Sequence, residues 1–192
     1  SGGVSVQAVG QTSQITVQED ATAELAEDEK LVCTVDGDTL RIRFMSDANR
    51  DGFEGEKFLT VSLPWELVKN AHFEEIDIET TSAYAYVSAD AQKIELSTLS
   101  GDARVMGASC PAVEIETVSG NVGVVDGTWG KVELSTVSGA IELAGDADSA
   151  GIETTSGKTD IAGALGALDF ESVSGDLVLS LDRALRLAAE TE

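Results

Sequence analysis

Between residues 95 and 179 the chain writes ELSTLSGDARV (95–105), EIETVSGNVGV (114–124), VELSTVSGAIEL (132–143), GIETTSGKTDI (151–161) and DFESVSGDLVL (169–179). A Ser-Gly pair recurs at Ser100-Gly101, Ser119-Gly120, Ser138-Gly139, Ser156-Gly157 and Ser174-Gly175, and a degenerate copy, Ser82-Ala83, precedes them. Counted from Ala83 to Gly175, the second members of these pairs are 18, 19, 19, 18 and 18 residues apart. Such regularity marks a stacked repeat architecture.

Alignment on the glycine turns the copies into columns of single chemical character. Seven residues before it stand Ile76, Ile94, Val113, Val132, Ala150 and Leu168, and five before it Ile78, Leu96, Ile115, Leu134, Ile152 and Phe170. Three before it, on the same parity, come Thr80, Thr98, Thr117, Thr136, Thr154 and Ser172. After the glycine, the second position (Ala85, Ala103, Val122, Ile141, Thr159, Leu177) and the fourth (Val87, Val105, Val124, Leu143, Ile161, Leu179) continue the apolar pattern. Period-two alternation on both sides of a corner means two short strands per copy. A βαβ unit needs about 30 residues, so a copy of this length suits one coil of a parallel β-solenoid. The fold class expected is all-β: a right-handed parallel β-solenoid of about six to seven coils, preceded by an antiparallel β-rich segment. The corner glycine then needs either positive φ or close backbone approach, with Ala83 excused as the first coil.

Function has to reside on the outward columns. Six before the glycine come Asp77, Glu95, Glu114, Glu133, Gly151 and Asp169, and four before it Glu79, Ser97, Glu116, Ser135, Glu153 and Glu171. Carboxylates stacked at roughly 4.8 Å repel by about 0.9 kcal/mol per pair at the dielectric of water. They either splay into solvent or meet cations, and the candidate binding face is Glu95, Glu114, Glu116, Glu133, Glu153 and Glu171. No histidine occurs in the repeat, so a Ser-His nucleophile is excluded there. Arg104 and Lys158 stand as singletons near a corner, and no base, nucleophile and orienting group share one level.

Residues 13–63 read as antiparallel β-structure opening with a strand at 14–18. Residues 30–35 and 39–44 alternate Leu31, Cys33, Val35 and Leu40, Ile42, Phe44 on one face and join through Asp36-Gly37-Asp38, a hairpin signal that turns Cys33 toward a core. A third strand, 57–63, stops at Pro64. Between these strands Asp47, Asn49 and Asp51 precede Gly52 as in the first half of a calcium loop, but position twelve is Phe58 rather than a bidentate Glu. A polar hairpin loop uses the same residues for conformation, so calcium is only a secondary reading and no cofactor is expected. Residues 65–73 form a short helical or irregular connector containing His72, the single histidine, read as a boundary residue. Residues 186–192 repeat the inward spacing with Leu187, Ala189 and Thr191 and read as the first strand of a seventh coil, with a helical cap as the alternative. The divisions expected are 1–64, 65–75 and 76–192, in one continuous structural domain.

Composition narrows the partners. With 35 acidic against 12 basic residues the formal net charge is −23, which repels nucleic acid and anionic membranes and favours cations or basic surfaces. No run of about 18 apolar residues is long enough to span a bilayer. The opening Ser1-Gly2-Gly3 carries no leader, and a native signal or anchor is expected outside this chain. Cys33 and Cys110 permit one disulfide without requiring it.

The pattern [ILV]-[DE]-x-[ES]-T-x-S-G followed by an alternating strand, with VSLP (61–64) and IDIETTSAYAYV (76–87) at its entry, resembles a bacterial family of β-strand-repeat proteins that carries the label adhesin. The resemblance runs from about Phe58 to the C-terminus. It implies an extracytoplasmic, cell-surface or envelope location and a binding role, with no catalytic residues and no fixed ligand. The expectation is a non-enzymatic binding or structural module whose partner is a protein, a glycan or a cationic peptide. The alternatives are a carbohydrate-active β-helix enzyme using a carboxylate pair such as Glu114 and Glu133, or a scaffold that captures cationic peptides.

Overall fold

The computed structural model describes residues 2–10, 13–43, 55–71, 73–182 and 186–191. In chain order its elements are β1 (Gly3–Val9), β2 (Thr16–Ala21), β3 (Val32–Asp36), β4 (Thr39–Arg43), β5 (Lys57–Pro64), α1 (Trp65–Ala71) and β6 (Phe73–Thr80). There follow β7 (Tyr84–Ser88), β8 (Ala91–Thr98), β9 (Ala103–Met106) and β10 (Ser109–Thr117). The last are β11 (Val122–Ser138), β12 (Ile141–Gly163), β13 (Leu165–Leu181) and β14 (Arg186–Thr191). The three long strands bend round corners and so contribute to two stacks.

The first stack is β6, β8, β10, then residues 128–138, 146–156 and 165–174, and finally β14, all parallel. Its register is the column alignment: Ile78, Leu96, Ile115, Leu134, Ile152, Phe170 and Ala189 are successive partners. The inward side chains interlock, and Ile94, Leu96 and Ile115 have no exposed surface. Each such aliphatic side chain contributes about 1.5–3 kcal/mol by leaving water. The strand of a seventh coil is present as β14, and as the last rung Leu187 is 52% exposed.

The second stack runs β2, β5, β1, β7, β9 and then residues 122–125 and 141–145, continuing through 157–163 to 175–181. β2 pairs antiparallel with β5, and β3 pairs antiparallel with β4, as the N-terminal alternation predicts. β1 was not foreseen: it is parallel to both β5 and β7 and is inserted between them. Ala83 therefore does not belong to the outermost coil. The hairpin turn has Gly37 at its first central position with φ 60°, the arrangement a type II′ turn requires. Cys33 corrects the sequence reading, because it is exposed and not in a core. β3 and β4 form a two-stranded sheet in which every residue of β3 is exposed, and Ile42 of β4 is what reaches the main core. Cys110 is buried, its thiol donating to the Ala112 carbonyl at 3.0 Å. The calcium-loop residues Asp47, Asn49 and Asp51, and His72, lie outside the described residues.

At the N-terminal end Lys57 is buried, and its ammonium pairs with Glu19 at 2.8 Å and donates to the Glu29 carbonyl. Glu19 also accepts the Leu31 amide at 3.0 Å, so one ion pair fastens β2, β5 and the segment before β3 together. Removing one partner of such a pair leaves a buried charge at a cost of about 3–5 kcal/mol.

The corner glycines are explained by proximity. A Cβ on Gly101 would lie 2.0 Å from the Ala83 carbonyl oxygen, and on Gly120, Gly139 and Gly157 it would lie 1.9, 2.0 and 2.1 Å from the carbonyl of the preceding corner glycine. Of the Ser-Gly column Gly157 alone has positive φ. Thr98 and Thr117 point inward and accept the Gly101 and Gly120 amides at 2.9 and 3.0 Å, so the Thr and Gly columns build one corner. The nineteenth residue of the longer coils sits at the other corner. Val105 to Cys110 and Val124 to Trp129 span five residues where their partners Leu143 to Ala147 span four. The extra residue is left-handed in each case, Gly107 at φ 65° and Asp126 at φ 58°.

Two outcomes follow for urea unfolding of single variants. Gly120→Ala should lose on the order of 1–3 kcal/mol, while Ala83→Gly changes stability by less than about 1 kcal/mol. Asp126→Gly should match or exceed the parent, and Asp126→Val should fall below it by about 1–2 kcal/mol, because a left-handed backbone penalises a β-branched side chain.

Candidate functional site

Strand alternation that buries Ile76, Ile78 and their successors turns the intervening residues of the first stack to solvent. The registers bring Asp77, Glu95, Glu114, Glu133, Gly151 and Asp169 into one outward column. Glu79, Ser97, Glu116, Ser135, Glu153, Glu171 and Glu190 form the next. All six predicted residues are thus on one face: Glu95, Glu114 and Glu133 in the first column, Glu116, Glu153 and Glu171 in the second.

The sequence reading missed the basic residues that share this face. Two positions before the first acidic column the registers align Glu75, Lys93, Ala112, Lys131, Ser149, Ala167 and Arg186. Lys93 pairs with Glu95, with Glu114 at 3.3 Å and with Glu75 at 3.8 Å, and so bridges three rungs. Its hydrogen bond to Glu95, assisted by Glu114, holds the ammonium pKa above its ordinary value. Lys131 pairs with Glu133 at 2.6 Å. Asp77 has partial burial and the neighbours Glu95, Glu75 and Glu79, which together push its carboxyl pKa up. The basic column follows from the same parity as the acidic ones and was available to a longer alignment window.

Compensation is uneven. Among the described residues, no ion pair within 4 Å reaches Glu116, Glu153, Asp169 or Glu171. These four border a shallow open depression of about 280 Å³ that Glu114, Glu133, Ser135 and Gly151 also line. Gly151 makes the hollow: it interrupts the carboxylate column, and a Cβ there would meet nothing closer than Glu133 Cγ at 3.9 Å. Sterics do not require this glycine, unlike those at the corner. Among the described residues no three His, Cys, Asp or Glu side chains converge as a metal-ligand set. The face therefore presents spaced negative charge to solvent.

Arg104 and Lys158 lie on the outward side of the second stack. Arg104 crosses Gly123 to reach Glu142 at 3.3 Å, and Lys158 pairs with Asp160 at 2.7 Å. Neither joins the acidic columns.

Comparison with known proteins places this architecture. Neither the curated proteins nor the solved structures contain a match to the chain. The family model described as Toastrack DUF4097 matches residues 4–192, so the likeness takes in β1 and the N-terminal strands as well as the coils from Phe58 onward. That description names neither an adhesive activity nor a ligand. The chain belongs to the Toastrack DUF4097 family.

Proposed function

We propose that the chain is a non-enzymatic binding module displayed at the cell envelope, which holds a basic partner on the acidic outward face of its first stack. The observation that carries this reading is the set Glu116, Glu153, Asp169 and Glu171, carboxylates within four successive rungs of one face, Glu116 being separated from Glu153 by the rung of Ser135, with no cation within 4 Å among the described residues. A ladder of like charges is locally unfavourable, and a partner bearing Lys or Arg at comparable spacing relieves it. Membership of a repeat family and the adhesin label of the resembling proteins support a binding role. The net charge of −23 supports attraction over long range. The pair Glu114 and Glu133 favours catalysis less, since Glu133 is exposed, Glu114 is only half-buried and each is engaged by a lysine. A general acid gains its raised pKa from burial.

Fluorescence anisotropy with a labelled hexalysine peptide tests the proposal. Binding at about 50 mM salt should weaken at least about tenfold at 500 mM, and the triple variant Glu116→Gln, Glu153→Gln, Glu171→Gln should bind several-fold more weakly than the parent. Affinity that is unchanged by salt or by the triple substitution would remove the acidic face as the contact. Hydrolysis of a polysaccharide that Glu114→Gln with Glu133→Gln abolishes would establish an enzyme instead.

A further inference from the structure

The outward face of the second stack carries a feature with no role in the fold's core. Across β2, β5, β1, β7 and β9 one row reads Asp20, Phe58, Gly3, Tyr84 and Asp102, and the next reads Gln18, Thr60, Ser5, Tyr86 and Arg104. The inward positions of the same strands are Leu59, Val61, Val4, Val6, Ala85, Val87, Ala103 and Val105, so the core is filled from the opposite parity. Both tyrosines of the chain and one of its five phenylalanines nevertheless stand here, in a sequence only 5% aromatic.

Two of these rings are exposed, and the third, Tyr86, is half-buried beside Tyr84. Phe58 is 42% and Tyr84 39% exposed. The Tyr84 and Tyr86 rings lie 6.1 Å apart, centre to centre, at 22°. Gly3 separates Phe58 from Tyr84 in the row, and a Cβ on it would be 3.4 Å from Phe58 Cδ1, so the Phe58 ring lies over the bare backbone of β1. Aromatic surface therefore runs from β5 toward β7 across two interstrand spacings, about 9.6 Å. Polar groups of both kinds stand round it. Gln18 donates to Asp20 at 2.9 Å and Asn121 donates to Asp102 at 3.2 Å, so amide donors and carboxylate acceptors flank the rings.

The occupant follows from that combination. An apolar peptide or a lipid tail would cover the rings and leave the surrounding carboxylates and amides desolvated, which costs free energy for each group left unpaired. Polyanions are repelled by the chain's charge. A pyranose with equatorial substituents presents a flat face of C–H groups to a ring and hydroxyls at its edge that both donate and accept. A β-1,4-linked chain repeats that face along its length. We propose that this face is a saccharide-binding platform for neutral β-1,4-linked pyranose chains, stacked on Phe58 and Tyr84 with their hydroxyls held by Gln18, Asp20 and Asp102. The platform is on the other stack from the acidic columns and does not depend on them.

Titration calorimetry of the whole chain with cellohexaose and with chitohexaose tests it. At least one should bind. Phe58→Ala and Tyr84→Ala should each weaken binding at least about tenfold, as loss of an anchoring aromatic contact does, while Tyr84→Phe keeps the ring and the affinity. Both alanine substitutions fall at exposed outward positions, and an unchanged far-ultraviolet circular dichroism spectrum verifies the fold. Binding should be indifferent to 500 mM salt and to Glu116→Gln, Glu153→Gln, which distinguishes it from contact through the acidic face. No heat of binding for either sugar at millimolar concentration would overturn the proposal, as would parental affinity in both alanine variants.

Discussion

Each coil rests on the one before it through a backbone contact that leaves no room for a side chain. At Gly101, Gly120, Gly139, Gly157 and Gly175 the position of a Cβ is taken by a carbonyl oxygen of the preceding coil, at 1.9–2.4 Å. Once the corner is set by that approach, the strands on either side have no choice of register, and the period of two decides which residues enter the core. The buried hydroxyls of Thr98 and Thr117 meet the glycine amides and complete the corner from within. Ser-Gly and the Thr before it are therefore structural residues.

The same constraint explains how the chain tolerates two period lengths. The Ser-Gly corner admits no insertion, so the additional residue of a 19-residue coil is placed at the opposite corner, where Gly107 and Asp126 adopt left-handed backbone. At the N-terminal end the stack changes character. β1 enters between β5 and β7, and Gly2 takes the corner position, where a Cβ would lie 1.9 Å from the Lys57 carbonyl oxygen. β2 then covers β5 in the antiparallel sense and is fastened by the Lys57–Glu19 pair.

Much of this was legible in the sequence because repetition converts local pattern into long-range register. Aligning copies on Ser-Gly is equivalent to aligning rungs, and the inward apolar and Thr columns follow, as does β14. What stayed hidden has no repeat to reveal it. Val4, Val6 and Ala8 alternate like any short strand, but nothing local says that their partners are residues 58–64 and 84–88. Alternation in β3 and β4 showed that Cys33, Val35, Leu40 and Ile42 share a face, yet not that the core would take only its Ile42 side and leave Cys33 and Val35 exposed. Lys57 reads as the polar start of a strand until Glu19 is brought beside it. Of the site, the acidic columns were visible, while Lys93 and Lys131 fell one column outside the alignment. The hollow at Gly151 depends on its neighbours across three rungs.

Separation of scaffold from surface is the consequence. The corner and core columns hold the coils, so the outward columns are free to differ, and they do: acidic columns on one stack and exposed Phe58 and Tyr84 on the other. Whether the coil is the unit of the fold is open to direct measurement by deleting residues 121–139, one full period that joins Gly120 to Ala140 and keeps every column aligned. Stacking through the corner predicts that circular dichroism and urea unfolding of this variant show a folded β-protein with one cooperative transition, whereas deleting residues 121–136, three short of a period, abolishes it. An in-register deletion that is as unfolded as the out-of-register one would contradict the central role of the corner contact.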